Sequence, residues 1–241
     1  VQIGGNAFKE IGPKKCLSHF LNSPGNFTAS KLKWVKDNEP NIYEKTYKFM
    51  LPGDFIAFKL TGEINTTKNG LSEGIMWDFK EKSPASLIFN YFGFSPNLIP
   101  KIVDNFTLQG KISYDSSKKT GLRVGTHVTY RAGDQPNNAF SLNVFKKGQT
   151  ALSGGTSGVI YSLTDFQSVK KNLKLNYFAH IDYSDKVRSI GELACINGAG
   201  AMLKWLKNLF GENSYQNMDK IAATTSIGLS LIHISEPTRH T

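Results

Sequence analysis

Residues Val128–Val159 read VTYRAGDQPNNAFSLNVFKKGQTALSGGTSGV. An apolar strand, His127–Tyr130, runs through Gly133 to Asp134. Pro136 stands where the first turn of a helix accepts a proline. A basic turn with Lys146 and Lys147 follows, and a second strand from Ala151 breaks into Gly154-Gly155-Thr156-Ser157-Gly158. The chain returns as Val159-Ile160-Tyr161, which predicts a hairpin. Open α/β sheets place ligands at the carboxyl ends of their strands, where Asp134 falls.

Each part of this stretch has a plain reading and a chemical one. Aspartate is a favoured helix N-cap, so Asp134 can be purely structural. It can also orient a substrate hydroxyl and take its proton during attack on phosphorus. Gln135, Asn137 and Asn138 then supply neutral amides for a polyol. The glycines at 154, 155 and 158 can be no more than a turn. They can equally expose backbone N–H groups to an anion, with the hydroxyls of Thr156 and Ser157 beside them. No Gly-Lys-Ser/Thr follows, so this is not a Walker loop. An acid ahead of a glycine-rich hairpin is the pairing that phosphoryl transfer uses.

Composition narrows the class. The chain has 241 residues, 39% of them apolar and 12% aromatic, which is enough for a large core. The formal charge is +10, yet the lysines are scattered in pairs such as Lys14-Lys15, Lys118-Lys119 and Lys170-Lys171. With no basic run beyond two and no nucleic-acid motif, the charge reads as a solvated surface and no nucleic acid is expected. No apolar run approaches membrane-spanning length, so no membrane partner is expected. Two distant cysteines, Cys16 and Cys195, make no disulfide framework and fit a reducing, cytoplasmic setting. The five histidines show no metal-ligand spacing, so no protein metal site is expected.

Outward from the centre, the pattern predicts short helices at Asn6–Glu10 and Lys15–Phe20, then a turn cluster at Asn22–Asn26. Thr28 is expected to N-cap a helix over Ala29–Lys36, with Leu32 and Val35 on one side and Trp34 beside them. Lys48–Leu51 is expected as a strand, and Phe55–Leu60 as a helix stopped by Gly62. Thr66–Asp78 reads as a polar loop anchored by Met76 and Trp77. Ser83-Pro84 is expected to open a helix whose core face is Leu87, Ile88, Tyr91 and Phe92. Strands are expected at Gly110–Tyr114, Leu175–Ile181 and Arg188–Ile190, with a helical turn at Ser116–Thr120. Gly191–Phe210 carries the longest helical spacing, through Leu193, Ile196, Ala199, Leu203, Leu206 and Phe210. Two glycines inside it, Gly198 and Gly200, each cost about 1 kcal/mol relative to alanine. That cost predicts a close approach to the backbone, either by packing or by a ligand.

Several ordered motifs together resemble the FGGY family of carbohydrate kinases. Gly133-Asp134-Gln135 is similar to the element carrying that family's catalytic base, and Gly155-Thr156-Ser157-Gly158 to its phosphate-binding hairpin. Thr28–Val35 resembles the first family signature, and Leu51-Pro52-Gly53-Asp54-Phe55 with Leu60-Thr61-Gly62-Glu63 the next block. Gly198–Trp205 resembles the helix after the hairpin, where the residue at Gly200 lies near the nucleotide. The resemblance implies an α/β, actin-like (ribonuclease H-like) ATPase fold of two domains. It implies ATP with Mg2+ and a small-molecule sugar as partners, Asp134 as general base, and sugar contacts from Gln135, Asn137, Asn138 and Asn26. Gly155, Thr156, Ser157, Gly158 and Gly200 would serve the nucleotide. The run Leu21–Thr28 with Arg131–Asn138 is most similar to the bacterial branch acting on D-xylulose. Ribulose, gluconate and glycerol are the alternative substrates, and a non-catalytic actin-like sugar-binding module is the rival from another class. A homodimer is one assembly this reading allows.

The chain departs from the family in two places. Arg131 and Ala132 stand where glycines are common, and Asn26 stands where the glycerol-specific members use tyrosine. The family's Asp-x-Gly-Thr hairpin, its Gln-Met-His-Gly-type sugar contacts and its Gly-Gly adenosine site do not occur in these residues. The expected organisation is therefore the latter part of a sugar-binding domain over 1–148 and the first part of an ATP-binding domain over 149–228. Both are incomplete, and such a piece alone would be inactive. Leu229–Arg239, LSLIHISEPTR, reads as a translated sequencing adapter, so 229–241 is set aside.

Overall fold

Helices open the chain. α1 (Gln2–Ile11) and α2 (Pro13–His19) are longer than the predicted pair but break at the same Gly12-Pro13. The computed structural model describes residues 2–171, 174–211 and 214–226; the adapter-like tail lies outside the described residues. α3 (Thr28–Asn38) begins one residue early: Phe27, with extended backbone, is its N-cap, and Thr28 is helical rather than capping. Its buried residues are the small Ala29 and Ser30, while Trp34 stays 51% exposed. Ala29 N donates to Gly74 O (3.0 Å) and Ser30 Oγ to Pro24 O (3.4 Å), so this face of α3 meets backbone.

After α4 (Pro40–Glu44), Lys48–Leu51 forms no strand. Phe49 donates one backbone bond to Leu98 O (3.1 Å), and no ladder forms. α5 (Pro52–Thr61) ends at Gly62 as expected. The predicted polar loop at Thr66–Asp78 is instead ordered and buried. It holds β1 (Asn65–Thr67), α6 (Lys68–Glu73) and β2 (Trp77–Asp78). Several of its polar side chains are satisfied internally rather than by solvent. Thr67 Oγ1 caps α6 by accepting from Gly70 N (3.0 Å). Ser72 Oγ donates to Asn69 O (2.7 Å) and accepts from Ala179 N (2.9 Å). Met76 and Trp77 are buried, as the sequence indicated.

Ser83–Pro84 does not open a helix. As β3 it pairs antiparallel with β2, and α7 (Ser86–Phe92) starts after it. The α7 core face is Ile88, Phe89 and Phe92, so Phe89 replaces the expected Leu87 and Tyr91. β4 (Lys101–Val103) runs parallel to β1, with Asn65 opposite Lys101. β5 (Gly110–Lys111) and β6 (His127–Val128) form a short antiparallel pair. The predicted strand to Tyr114 is cut short because α8 (Tyr114–Thr120) takes that residue, with Ser113 Oγ accepting from Ser116 N. α9 (Asp134–Ser141) follows β6 at the expected place.

The second sheet has the order β7 (Thr150–Gly154), β8 (Gly158–Asp165), β10 (Ser189–Ile196), β9 (Asn176–Ala179). The long helix predicted from Gly191 is therefore wrong in its first part. Gly191–Ile196 belongs to β10, where Gly191 pairs with Phe178 and Leu193 with Asn176. Ladder bonds and buried Ile190 and Leu193 outweigh a helical spacing that is real only from Ala199 onward. α10 (Ala199–Leu209) and α11 (Tyr215–Ala223) complete the described elements.

Contacts divide the chain into two units. The first holds the described residues of Val1–Ala151 with Tyr161–Ala194; the second holds Leu152–Ile160 with the described residues from Cys195 on. No helix among the described residues is long and apolar enough to cross a membrane.

Candidate active site

In the first unit, a cleft of about 460 Å3 is lined by the start of α5, by α6 and by the loop before α9. Asp134 stands in its wall at the first position of α9, exposed, with Gly133 as the N-cap. The positive end of a helix suits a carboxylate there. Asp134 Oδ1 accepts from Gln135 N (2.8 Å) and Oδ2 from Gln135 Nε2 (3.3 Å). Gly133 N donates to Asn69 Oδ1 (3.2 Å), which ties this loop to α6.

The cleft is held by one guanidinium. Arg131 Nε donates to Asp54 Oδ1 (2.8 Å), and Nη2 donates to both Asn65 O and Asn65 Oδ1 (2.7 Å each). Its Nη1 reaches Gln109 Oε1. The other oxygen of Asp54 accepts from Thr66 Oγ1 (2.8 Å) and Leu51 N (3.3 Å). Both ions are largely removed from water, at 10% and 4% side-chain exposure, yet every bond-forming side is used. A buried pair is tolerable only under that condition.

A third carboxyl, Glu73, ends α6 inside the same cleft. Burial, and then the negative charges of Asp134 and Asp54, push its pKa up to about 8. Its carboxyl lies against Gly133, where an added Cβ would stand 1.9 Å from Oε1, so a side chain at 133 would displace it. Tyr130 stacks on Phe106 (5.0 Å) and donates to Asn137 Oδ1 (3.0 Å). Burial first, then Glu73, raises its hydroxyl to about 12, so it remains a donor.

The expected sugar contacts do not all converge. Asp134 lines the cleft, whereas Gln135, Asn137 and Asn138 follow it on α9 outside the lining. Asn137 is engaged by Tyr130. Asn26 lines a separate pocket of about 230 Å3 with Ile3, Ser30 and Trp34. The sequence reading missed Glu73, Asn69 and Thr67, because they lie in the stretch taken for a loop. A signal for the ion pair was present: Asp54 sits in a motif block, and Arg131 replaces a common glycine.

The second unit is built of backbone. The hairpin joins β7 to β8, with Gly155 N donating to Ser157 O (3.0 Å). Gly200 N donates to Gly155 O and Thr156 O (3.1 Å each), and Ala201 N to Thr156 O (3.3 Å). A Cβ at Gly200 would fall 2.2 Å from Gly155 O. The close approach predicted from the glycines of this helix is thus made by the hairpin. Gly155, Thr156, Ser157 and Gly200 are brought together, with Gly158 against Ala199. Among the described residues, the N–H groups of Thr156 and Ser157 have no partner, and Thr156 is exposed. That donor set fits a phosphate chain. The described residues hold no group of three His, Cys, Asp or Glu side chains placed for a metal ion.

The fold is α/β and of the actin-like type, as the following likenesses show. The structure superposes on xylulose kinase from Rhodospirillum rubrum with a TM-score of 0.83 at 21% identity, covering 94% of this chain and 46% of that one. Against Plasmodium falciparum glycerol kinase with ADP the TM-score is 0.81 at 16% identity, covering 93% and 46%. Residues 19–141 match the N-terminal domain of the FGGY family of carbohydrate kinases, and the chain belongs to that family. The xylulose kinase of Bacillus subtilis (strain 168) is 30% identical over 187 residues, 78% of this chain and 37% of the relative. The chain therefore spans less than half the length of the relatives it matches.

Proposed function

We propose that this chain belongs to an ATP-dependent sugar kinase whose substrate is D-xylulose, phosphorylated on its terminal hydroxyl. The observation that carries the proposal is the sorting of three carboxyls in one cleft. Asp54 is held by Arg131, Glu73 is buried with its pKa raised to about 8, and Asp134 alone is exposed at the head of a helix. Asp134 orients the sugar hydroxyl and accepts its proton as that oxygen attacks the γ-phosphoryl of ATP. Thr156, Ser157 and their N–H groups hold phosphate oxygens, and Mg2+ accompanies the nucleotide. The sugar- and ATP-binding domains are proposed to meet near Gly148. Gln135, Asn137 and Asn138, which follow Asp134 on α9, and Asn26 are kept as proposed sugar contacts. The free thiols of Cys16 and Cys195 suit a cytoplasmic enzyme.

D-Xylulose is favoured by the relative of highest identity given above, which carries that name. The experiment is a product assay of the whole protein with Mg-ATP and D-xylulose, D-ribulose, gluconate or glycerol, alongside calorimetry with each. The highest kcat/KM is expected with D-xylulose. A preference for glycerol would overturn the substrate assignment. Sugar binding with no transfer to any of them would indicate a non-catalytic module.

A further inference from the structure

Of the three carboxyls in the Asp134 cleft, one is left incomplete. Asp54 accepts from Arg131, Thr66 and Leu51, and Asp134 accepts twice from Gln135. Glu73 Oε1 is fully buried and, among the described residues, has no hydrogen-bond partner. Buried polar atoms are nearly always paired, because an unmade bond there forfeits hydration with nothing in return. Glu73 also lines the cleft, and Gly133 beside it carries no side chain that would close it off.

We propose that Glu73 is a polyol-binding residue of this cleft: its carboxyl group hydrogen-bonds a hydroxyl of the substrate. The proposal rests on the reading of the cleft as the sugar site. The groups facing Glu73 are Asp54 on α5, Arg131 and Tyr130 before α9, Asp134 on α9 and Tyr161 on β8. Arg131 is committed to Asp54, so the nearby charge that remains is negative. A neutral carboxylic acid offers one O–H donor and an acceptor, which matches a hydroxyl that both donates and accepts. Ionised, it keeps only acceptors. Since Glu73 loses its proton near pH 8, the donor is present at neutral pH and disappears above it.

Calorimetry of the whole protein with D-xylulose, without nucleotide, tests this. Glu73→Leu is expected to weaken the sugar Kd by about tenfold or more. Glu73→Gln, isosteric with the protonated acid, is expected to stay within about threefold at pH 7. Wild-type affinity should fall from pH 7 to 9, and the Gln variant should not follow. A folded Leu variant, verified by its melting curve, that binds like wild type would overturn the proposal. So would a Gln variant with the wild-type pH dependence, which remains decisive if Leu fails to fold. Absence of sugar binding by the wild type would sink the cleft reading and this proposal together. Transfer activity retained by Asp134→Asn would remove the base assignment alone, since sugar affinity is read separately.

Discussion

The Asp134 cleft and the Gly154–Gly158 hairpin are both polar, but they are stabilised by different parts of the chain. The cleft depends on side chains: one guanidinium makes four hydrogen bonds that join Asp54, Asn65 and Gln109. The hairpin depends on main chain: its carbonyls receive the first N–H groups of α10, and Gly200 permits the approach. The side-chain network holds a buried acid, Asp54, through bonds to Arg131, Thr66 and Leu51. A backbone cradle fixes the direction of donors and tolerates changes of side chain. Substitutions should therefore affect the two regions differently.

The largest stability effect is expected at Arg131. Arg131→Ala leaves Asp54 buried without its counter-ion and should cost about 3–5 kcal/mol in chemical denaturation. Arg131→Lys should recover little, because one ammonium cannot replace a fork bonded to three residues. A loss below about 1 kcal/mol would show that the network does not hold the cleft. Next is Gly200→Ala, whose new Cβ meets a main-chain oxygen that cannot swing away. It should cost about 1–3 kcal/mol and weaken Mg-ATP binding while leaving sugar affinity unchanged. Equal weakening of both ligands would erase the distinction between the regions.

A smaller effect follows from Glu73. Its pKa is raised in the folded protein, so the folded state holds a proton that the unfolded chain releases. That contribution to stability is complete below the unfolded value of about 4.5 and is lost as pH rises to about 8. Between pH 5 and 8 the wild-type Tm should fall by a few degrees more than that of Glu73→Gln. Parallel pH profiles for the two would place Glu73 outside the buried cleft.

The sequence showed the hairpin more fully than the cleft, for a physical reason. Glycines advertise backbone geometry, so Gly155, Gly158 and Gly200 could be read as places of close approach. Asp134 was legible from its position between strand and helix. The Thr66–Asp78 stretch was not, because Thr66, Asn69 and Ser72 look like surface residues until their partners are known. Those partners are distant in sequence: Asp54 for Thr66 and Ala179 for Asn69 and Ser72. Spacing also misled at Gly191–Ile196, where Leu193 and Ile196 fit a helix but lie in β10, which pairs with β9 through Leu193. The fold class and the order of motifs were readable because they depend on local chemistry. The wall of the cleft depends on long-range pairing, which spacing does not encode.

The assignment of Asp134 as the proton acceptor is tested most directly by comparing phosphoryl transfer to D-xylulose by the whole protein and by its Asp134→Asn variant, with sugar affinity measured in parallel. The account predicts that transfer falls by about 10²–10⁴-fold while D-xylulose still binds. An Asn variant that keeps most of its transfer rate would contradict it.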